Sequence, residues 1–143
     1  MAQTLSIVWF KRDLRLHDHA PLAAACAAAI PVLPLYVIEP DYWQQPCASR
    51  RHWHFIYDSL VELQKDCASL GQPLVVRDGT ILNVFESIRC DYVIKGIYSH
   101  EETSNLWGYQ RDEGVRHWCL AHAIEFHEYP TNGIVRRLID RDG

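Results

Sequence analysis

The sequence lacks the glycine-rich turns that mark most nucleotide sites. Neither G-x-G-x-x-G nor G-x-x-x-x-G-K-[ST] occurs, and the first glycine is Gly71, far beyond the first apolar run. Those motifs need glycine because the backbone must approach a phosphate closely. A dinucleotide or triphosphate site of the usual kind is therefore not expected. G-x-S-x-G is also missing, so no hydrolase nucleophile elbow is visible.

Positive charge is scarce as well. The chain of 143 residues has 14 Lys and Arg against 18 Asp and Glu, which gives a formal net charge of −4. This negative charge argues against a protein that binds nucleic acid by itself. No apolar run approaches the roughly 20 residues of a membrane helix. The N-terminus does not resemble a secretory signal. The five cysteines are an odd number without C-x-x-C, so we expect free thiols and a cytoplasmic protein.

Metal and nucleophile chemistry are not predicted. His117, Cys119 and His122 form the densest His/Cys cluster, but on a helix His117 and Cys119 point to different faces. Cys119 is interpreted as a packed thiol rather than a nucleophile, because it lies in the middle of a predicted helix.

What the chain does have is an apolar run that ends abruptly in charge. Residues 7–10 are Ile-Val-Trp-Phe, and Lys11, Arg12, Asp13 and Arg15 follow within five positions. An apolar run without alternation is typical of a strand buried on both faces. Ligands of open α/β sheets bind at the carboxyl ends of strands, which places this charged block beside a candidate pocket.

Strands and helices alternate along the rest of the chain. Asp18 is the expected N-cap of the first helix, Pro21 lies in its first turn, and Gly71 caps the end of the long second helix. Apolar side chains at 53, 56, 60, 63, 67 and 70 form one stripe of that second helix. We predict strands at 5–10, 31–38, 73–77, 92–97 and 124–129, helices at 19–29, 50–70, 81–88 and 105–123, and a loop at 39–49.

This β-α-β-α-β-α-β-α-β order defines the fold class. It predicts a three-layer α/β/α domain with a five-stranded parallel sheet in a Rossmann-like, flavodoxin-type topology. We expect the domain to span residues 1–133. Residues 134–143 show no core-forming period and are interpreted as the start of an interdomain linker.

The loops after the first and fourth strands become neighbours in that topology. Arg12 could then face Glu101 or Glu102 across a crevice. Equally, these carboxylates could cap the next helix, whose N-terminus favours negative charge. Arg111 and Asp112, inside the last helix, would taken alone be a solvated surface pair. Tyr42 and Trp43, in the loop after the second strand, could stack on a flat ligand or pack against another domain.

These segments resemble the DNA photolyase and cryptochrome family. Residues 9–18, WFKRDLRLHD, are similar to its opening motif, W-F-R-x-D-L-R-x-x-D-N. Residues 99–103, SHEET, followed by Arg111-Asp112, resemble its second signature, and residues 131–137 with 141–143 resemble the exit from the first domain in bacterial members. Lys11 and His19 stand where Arg and Asn are commoner.

The resemblance implies an N-terminal α/β domain that holds a light-harvesting antenna chromophore, of deazaflavin or folate type. The partner it implies is a C-terminal helical domain that binds FAD. Contacts with the damaged DNA would be made by that helical domain only. The whole protein would be a deoxyribodipyrimidine photolyase, which repairs UV-induced pyrimidine dimers by light-driven electron transfer from FAD. We expect this chain alone to be catalytically inert and to bind no FAD tightly, with no catalytic residue, metal site or membrane contact.

The implied antenna cleft is formed by the loops after the first, second and fourth strands. The candidate chromophore-binding residues are Phe10, Lys11, Arg12, Asp13, Ile38, Glu39, Tyr42, Ser99, His100, Glu101 and Glu102. Folate-binding members carry an Asn-Glu pair before Arg-Asp. Here Trp107-Gly108-Tyr109-Gln110 precede Arg111, so that pair does not carry over.

Two alternatives remain open from the sequence. The chain could be the same domain of a signalling cryptochrome, or a free-standing flavodoxin-like binding module.

Overall fold

The computed structural model describes residues 2–11, 13–43, 50–101 and 106–130. These residues form five strands and five helices. The strands are β1 (Gln3–Phe10), β2 (Val32–Ile38), β3 (Val75–Asp78), β4 (Tyr92–His100) and β5 (Glu125–Tyr129). The helices are α1 (Ala20–Ala27), α2 (Pro40–Trp43), α3 (Arg50–Ser69), α4 (Ile81–Asp91) and α5 (Leu106–Ala121).

The strands form one parallel sheet in the order β3-β2-β1-β4-β5. This confirms the predicted fold class, an α/β domain of Rossmann-like topology. The direction of winding reverses between β1 and β4, which pair side by side from Gln3↔Tyr92 to Trp9↔Ser99. The β1–β4 pair is therefore the switch point of the sheet, and parallel α/β sheets bind their ligands at the carboxyl ends of the strands at such a point.

Each face of the sheet is covered by its own pair of long helices. On one face Trp9 and Ile97 of the strands pack with Phe85 of α4 and Val115 of α5. On the other face, Val8 and Phe10 alternate with those positions along β1 and pack against α1 and α3. β1 is therefore buried on both sides, which is why its sequence is a continuous apolar run.

The start of α1 differs from the prediction. His19, not Asp18, is the N-cap, and its Nδ1 accepts a hydrogen bond from the Leu22 N–H at 3.1 Å. Asp18 instead adopts a positive φ of 50°. Pro21 does lie in the first turn, as predicted, where the missing N–H costs no intrahelical bond.

Three other details correct or confirm the predicted elements. The segment predicted as a loop at 39–49 contains α2, while its residues 44–49 lie outside the described ranges. Leu70, predicted on the buried stripe, is 73% exposed because α3 ends at Ser69. Gly71 follows with a φ of +83°, a conformation that glycine adopts without strain, and so confirms the predicted cap.

Within the described residues, no helix combines the length and the apolarity needed to cross a membrane.

Candidate ligand site at the carboxyl edge of the sheet

The loops after β1 and β4 are adjacent, as the topology predicts. The Lys11 ammonium donates a hydrogen bond to the His100 carbonyl at 2.5 Å, joining the two strand ends directly. Phe10, Ser99 and His100 are buried within the strands rather than in the loops. Arg12 and Glu102, which were predicted to face each other, lie outside the described residues.

Asp13 is the centre of a buried polar cluster at this edge. Its Oδ1 accepts the Lys11 backbone N–H at 2.9 Å, and its Oδ2 lies 2.5 Å from both His100 Nδ1 and His19 Nε2. Burial alone would raise the pKa of Asp13, but the hydrogen bond from His100 and the proximity of the His19 ring outweigh it and hold that pKa far below its usual range. The carboxylate therefore stays ionised although it is buried.

His100 hydrogen-bonds to Asp13 through Nδ1, while His19 Nε2 lies 2.5 Å from the same carboxylate oxygen without hydrogen-bond geometry. Because His19 Nδ1 accepts the Leu22 N–H, Nε2 is the ring nitrogen that carries the proton. Asp13, His19 and His100 lie close enough together to be considered as a metal site. The geometry does not favour one, because a metal on Nε2 would move that proton to Nδ1 and oppose the Leu22 N–H.

Sequence reasoning missed the part played by His19. Asp13 and His100 were both candidates, whereas His19 stood out only as a departure from the family motif. The available signal was its position at the start of α1, where a ring nitrogen can cap the helix and still reach the strand end.

Lys11 connects β1 to α5. Its buried ammonium lies 3.0 Å from the Asp112 carboxylate and 4.2 Å from the centre of the Trp9 ring. Burial lowers the pKa of Lys11, and the Asp112 charge opposes that shift. The lysine therefore ties three elements together through its His100, Asp112 and Trp9 contacts.

Arg111 extends this connection to the end of β2. Its Nε donates to Asp112 at 3.1 Å, and a terminal nitrogen donates to Glu39 at 2.7 Å. The prediction that Arg111 and Asp112 form a solvated surface pair is wrong, since Asp112 is only 4% exposed. Helical spacing could not reveal this, because the Lys11 partner is 101 residues away in the chain.

The residues that run from Asp13 to Glu39 form one polar network, which we call the rim network: Asp13, His19, His100, Lys11, Asp112, Arg111 and Glu39. It connects the carboxyl ends of β1, β2 and β4 with α1 and α5. Glu101 adds a backbone link, because its N–H donates to the Tyr129 carbonyl at 2.8 Å and joins the end of β4 to that of β5.

Glu39 is an acidic member of the rim network whose pKa is raised. Burial raises the pKa of Glu39 to about 7, although the Arg111 guanidinium acts in the opposite direction. The carboxyl group therefore changes its protonation state near neutral pH, in a position that faces a cavity.

The titration of Glu39 predicts a specific pH dependence of stability. Because its pKa is higher in the folded chain than the ordinary 4.5, the folded state binds the extra proton, and stability is lost as pH rises from about 4.5 to about 7. Glu39→Gln removes this loss. The difference in free energy of unfolding, Glu39→Gln minus the unaltered chain, should therefore rise by about 3 kcal/mol between pH 4.5 and pH 7. Above pH 7 this difference should stay constant.

Urea denaturation at a series of pH values checks this prediction. Glu62→Gln, on an exposed position of α3, is the matched control and should show no such rise. A Glu39→Gln difference that stays constant from pH 4.5 to pH 8 would contradict it.

Aromatic rings flank the network on its outer side. Tyr42 contacts Trp43 at 5.0 Å and Trp107 at 5.6 Å between ring centres, and Trp43 continues to Trp53 at 5.2 Å. The Arg111 guanidinium lies 5.1 Å from the centre of the Trp107 ring. Tyr42 and Trp43 thus pack within the domain.

A cavity of about 500 Å³ opens beside Glu39. Its walls come from residues 39–41, from residues 79–83 and from one side of α5. On α5 the lining residues are Trp107, Gln110, Arg111 and Gly114. This volume falls within the range of small-molecule sites, and the rim network forms one of its walls. Of the predicted site residues that the structure describes, Glu39 is the one that lines it.

The cysteine predictions can be examined at four positions. Cys26, Cys67, Cys90 and Cys119 are free thiols. Burial raises the pKa of the Cys119 thiol to about 12, which agrees with a packed thiol and not with a nucleophile. His117 is exposed while Cys119 is buried, so these two side chains do not converge on a metal.

The fold and the site together define a class: a Rossmann-like α/β domain with a polar rim at its strand switch point and a small-molecule cavity beside it. Comparison with known proteins makes this specific. The DNA photolyase family profile matches residues 6–137. The chain belongs to the DNA photolyase family and corresponds to the N-terminal α/β domain of photolyases and cryptochromes.

Individual relatives come from both branches of the family. A deoxyribodipyrimidine photo-lyase of Salmonella typhimurium is 38% identical over 134 residues, which are 93% of this chain and 25% of that protein. The blue-light photoreceptor PHR2 of Arabidopsis thaliana is 31% identical over 105 residues, 70% of this chain and 24% of that protein. The chain thus spans about a quarter of the length of these curated relatives.

Solved structures agree with the fold. An archaeal photolyase from Sulfolobus tokodaii superimposes with a TM-score of 0.79 at 29% identity, over 87% of this chain and 29% of that one. The cryptochrome of Synechocystis sp. PCC6803 superimposes with a TM-score of 0.80 at 25% identity, over 91% of this chain and 28% of that one.

Proposed function

We propose that this chain is the light-harvesting domain of a deoxyribodipyrimidine photolyase. The observation that carries the proposal is the rim network, which holds the ends of β1, β2 and β4 together next to an open cavity. A rigid rim beside a cavity suits a domain that must hold a chromophore in a fixed orientation. The Salmonella relative, a photo-lyase that aligns with 93% of this chain, supports the photolyase branch.

In this proposal the predicted residues divide into two roles. Lys11, Asp13 and His100 hydrogen-bond to protein groups and fix the loops after β1 and β4. Glu39 lines the cavity. Together with Arg12, Ile38, Tyr42, Glu101 and Glu102 it would line the antenna cleft. The deeply buried Phe10 and Ser99 would shape it from beneath.

The described residues fit a flat chromophore. A cavity beside the partly buried Trp107 ring offers an aromatic surface, and Glu39 offers a hydrogen-bond acceptor. The chromophore, when bound, would absorb light and pass excitation energy to a flavin. The Sulfolobus photolyase contains two FAD molecules, which imply a novel light-harvesting cofactor in that protein and support such a role for this family member too.

The proposal also names partners outside the described residues. We place the domain at 1–133 and the start of an interdomain linker at 134–143. A helical domain would follow it, bind FAD, and make the contacts with damaged DNA, and it would complete the antenna cleft. The net charge of −4 suits a domain that leaves DNA binding to its partner.

A signalling cryptochrome is the second candidate, because PHR2 and the Synechocystis cryptochrome are also similar to this chain. Blue-light repair of thymine dimers by the product of the whole reading frame separates the two. Photolyase function predicts loss of dimers under blue light and none in the dark. Absence of repair on both single-stranded and double-stranded DNA would contradict it and favour the sensor.

A further inference from the structure

The short helix α2 and the residue before it form a segment, residues 39–43, that closes one side of the cavity. We propose that this segment, which we call the lid segment, is a proton-operated lid that is held closed while Glu39 is protonated and opens when Glu39 is ionised. The inference concerns access to the cavity. It goes beyond the proposed antenna role and does not depend on which ligand the cavity holds.

The lid segment begins where the sheet stops holding the chain. Ile38 is the last residue of β2; it pairs with Asp78 of β3, and its carbonyl accepts the Gly79 N–H at 3.1 Å. The chain then leaves the sheet and forms α2, a single turn in which none of the four residues is buried. A segment with few buried contacts opens at a lower free-energy cost than the strands of the core. The lid segment can therefore move while β2 stays in place.

Side-chain contacts to two helices hold the lid segment in its closed position. Glu39 accepts a hydrogen bond from Arg111 of α5 at 2.7 Å. Tyr42 and Trp43 pack on rings of α5 and α3, at 5.6 and 5.2 Å between ring centres. In this position residues 39–41 form one wall of the cavity. The ring contacts are indifferent to pH, whereas the Glu39 contact changes when its carboxyl group gains or loses a proton.

The burial of Glu39 decides in which direction protons act. In the closed position its side chain is 10% exposed, and burial raises the pKa of Glu39 to about 7. The charged groups that act on it come from other elements: Arg111 lowers this pKa, Asp112 raises it, and Lys11 at the end of β1 lowers it. In an open lid segment the carboxyl group is solvated and returns to its ordinary pKa of 4.5.

A carboxyl group with a higher pKa in the closed state stabilises that state only while it is protonated. Ionisation removes this stabilisation, because the Arg111 guanidinium offsets only part of the cost of burying the Glu39 charge. The open state therefore gains population as pH rises from about 4.5 to about 7. This makes the cavity more accessible in neutral than in mildly acidic solution.

Two backbone N–H groups report the opening directly. Those of Tyr42 and Trp43 both donate to the Glu39 carbonyl, at 3.0 and 3.4 Å, and they lose this partner when the lid segment opens. Their hydrogen exchange is followed by NMR on the 143-residue chain from pH 5 to pH 8, and each rate is corrected for the intrinsic exchange rate at that pH. Because the pKa is about 7 in the closed state and 4.5 in the open state, we expect their protection to fall by about 70-fold over this range.

The matched control amide is that of Val84 in the first turn of α4, beside the same cavity. It donates to the Thr80 carbonyl at 3.1 Å, outside the lid segment. Its protection should change by less than about threefold between pH 5 and pH 8, because the opening is local.

Two variants separate the proton from the ring contacts. Glu39→Gln cannot ionise, so the Tyr42 and Trp43 amides should keep the high protection of pH 5 at every pH. Tyr42→Leu weakens the contact with Trp107 but leaves the Glu39 carboxyl group in place. Protection of the Trp43 amide should then be lower at every pH, with the same relative fall from pH 5 to pH 8.

Three results would overturn the inference. The first is protection of the Tyr42 and Trp43 amides that does not change with pH in the unaltered chain. The second is a fall that persists in Glu39→Gln, since another group would then drive the opening. The third is an equal fall at Val84, which would show that the cavity walls loosen together. The proposed function does not depend on these results, because the repair assay decides it.

Discussion

Asp13→Asn is expected to destabilise the domain by about 3 kcal/mol, the largest loss from any isosteric change in the rim network. The carboxylate accepts hydrogen bonds from the Lys11 N–H and from His100, and His19 Nε2 lies 2.5 Å from its Oδ2. An amide offers one acceptor oxygen and turns an NH₂ towards two ring N–H donors. His19 cannot relieve this clash by changing tautomer, because its Nδ1 already accepts the Leu22 N–H.

Thermal unfolding followed by circular dichroism measures this effect, with an expected fall in Tm of roughly 10 °C. Asp58→Asn on an exposed position of α3 is the control and should shift Tm little. A loss below about 1 kcal/mol would mean that Asp13 is not the centre of the network.

The same variant carries a pH signature. The pKa of Asp13 is far lower in the folded chain than in the unfolded one, so the carboxylate stabilises the fold above the unfolded pKa of 3.8. That contribution is lost as pH falls below this value, because the unfolded chain takes up the proton first. The difference in free energy of unfolding between the unaltered chain and Asp13→Asn should therefore become smaller as pH falls below about 4. A gap that widens below pH 4 would contradict the assignment.

Lys11→Met is expected to cost about 3 kcal/mol, because it removes one member of a buried, hydrogen-bonded charge pair. The methionine preserves much of the side-chain length over Trp9 but leaves the Asp112 carboxylate without the ammonium at 3.0 Å. Asp112→Asn, made in addition, removes the carboxylate charge that the Lys11 ammonium neutralised. The double variant should therefore lose less stability than the sum of the two single variants, by about 1 to 3 kcal/mol.

The exposed pair Lys95 and Glu125 provides the control for this cycle. It has the same 3.0 Å separation, but its side chains are 54% and 47% exposed. A cycle built from Lys95→Met and Glu125→Gln should show a coupling of no more than about 0.5 kcal/mol. Equal coupling in the two cycles would show that burial does not strengthen the Lys11–Asp112 contact.

The sheet and its ligand-binding edge were accessible from the sequence because they depend on local patterns. The apolar run of β1 and the charges that follow it indicated a buried strand and its carboxyl end. The 3-4 spacing of apolar residues in α3 predicted the face that packs on Phe10 and Val8, and four of its six positions are buried: Ile56, Leu60, Leu63 and Cys67.

The contacts within the site join residues that are far apart in the sequence, and no local sequence pattern reveals such contacts. Nothing near the Arg111–Asp112 pair in sequence reveals that Arg111 reaches Glu39 at the end of β2, 72 residues earlier, so the sequence alone favours a solvated pair. The double role of His19 was hidden for the same reason, since its Asp13 contact depends on the angle at which α1 leaves the sheet. The family resemblance indicated which segments matter, but not that most of their polar groups bind one another.

The excitation spectrum of the flavin emission, recorded on the product of the whole reading frame purified in the dark, tests the central claim most directly. A light-harvesting domain predicts a band in that spectrum beyond those of the flavin, because a second chromophore passes its energy on. An excitation spectrum that coincides with the absorption of the flavin alone would contradict the account.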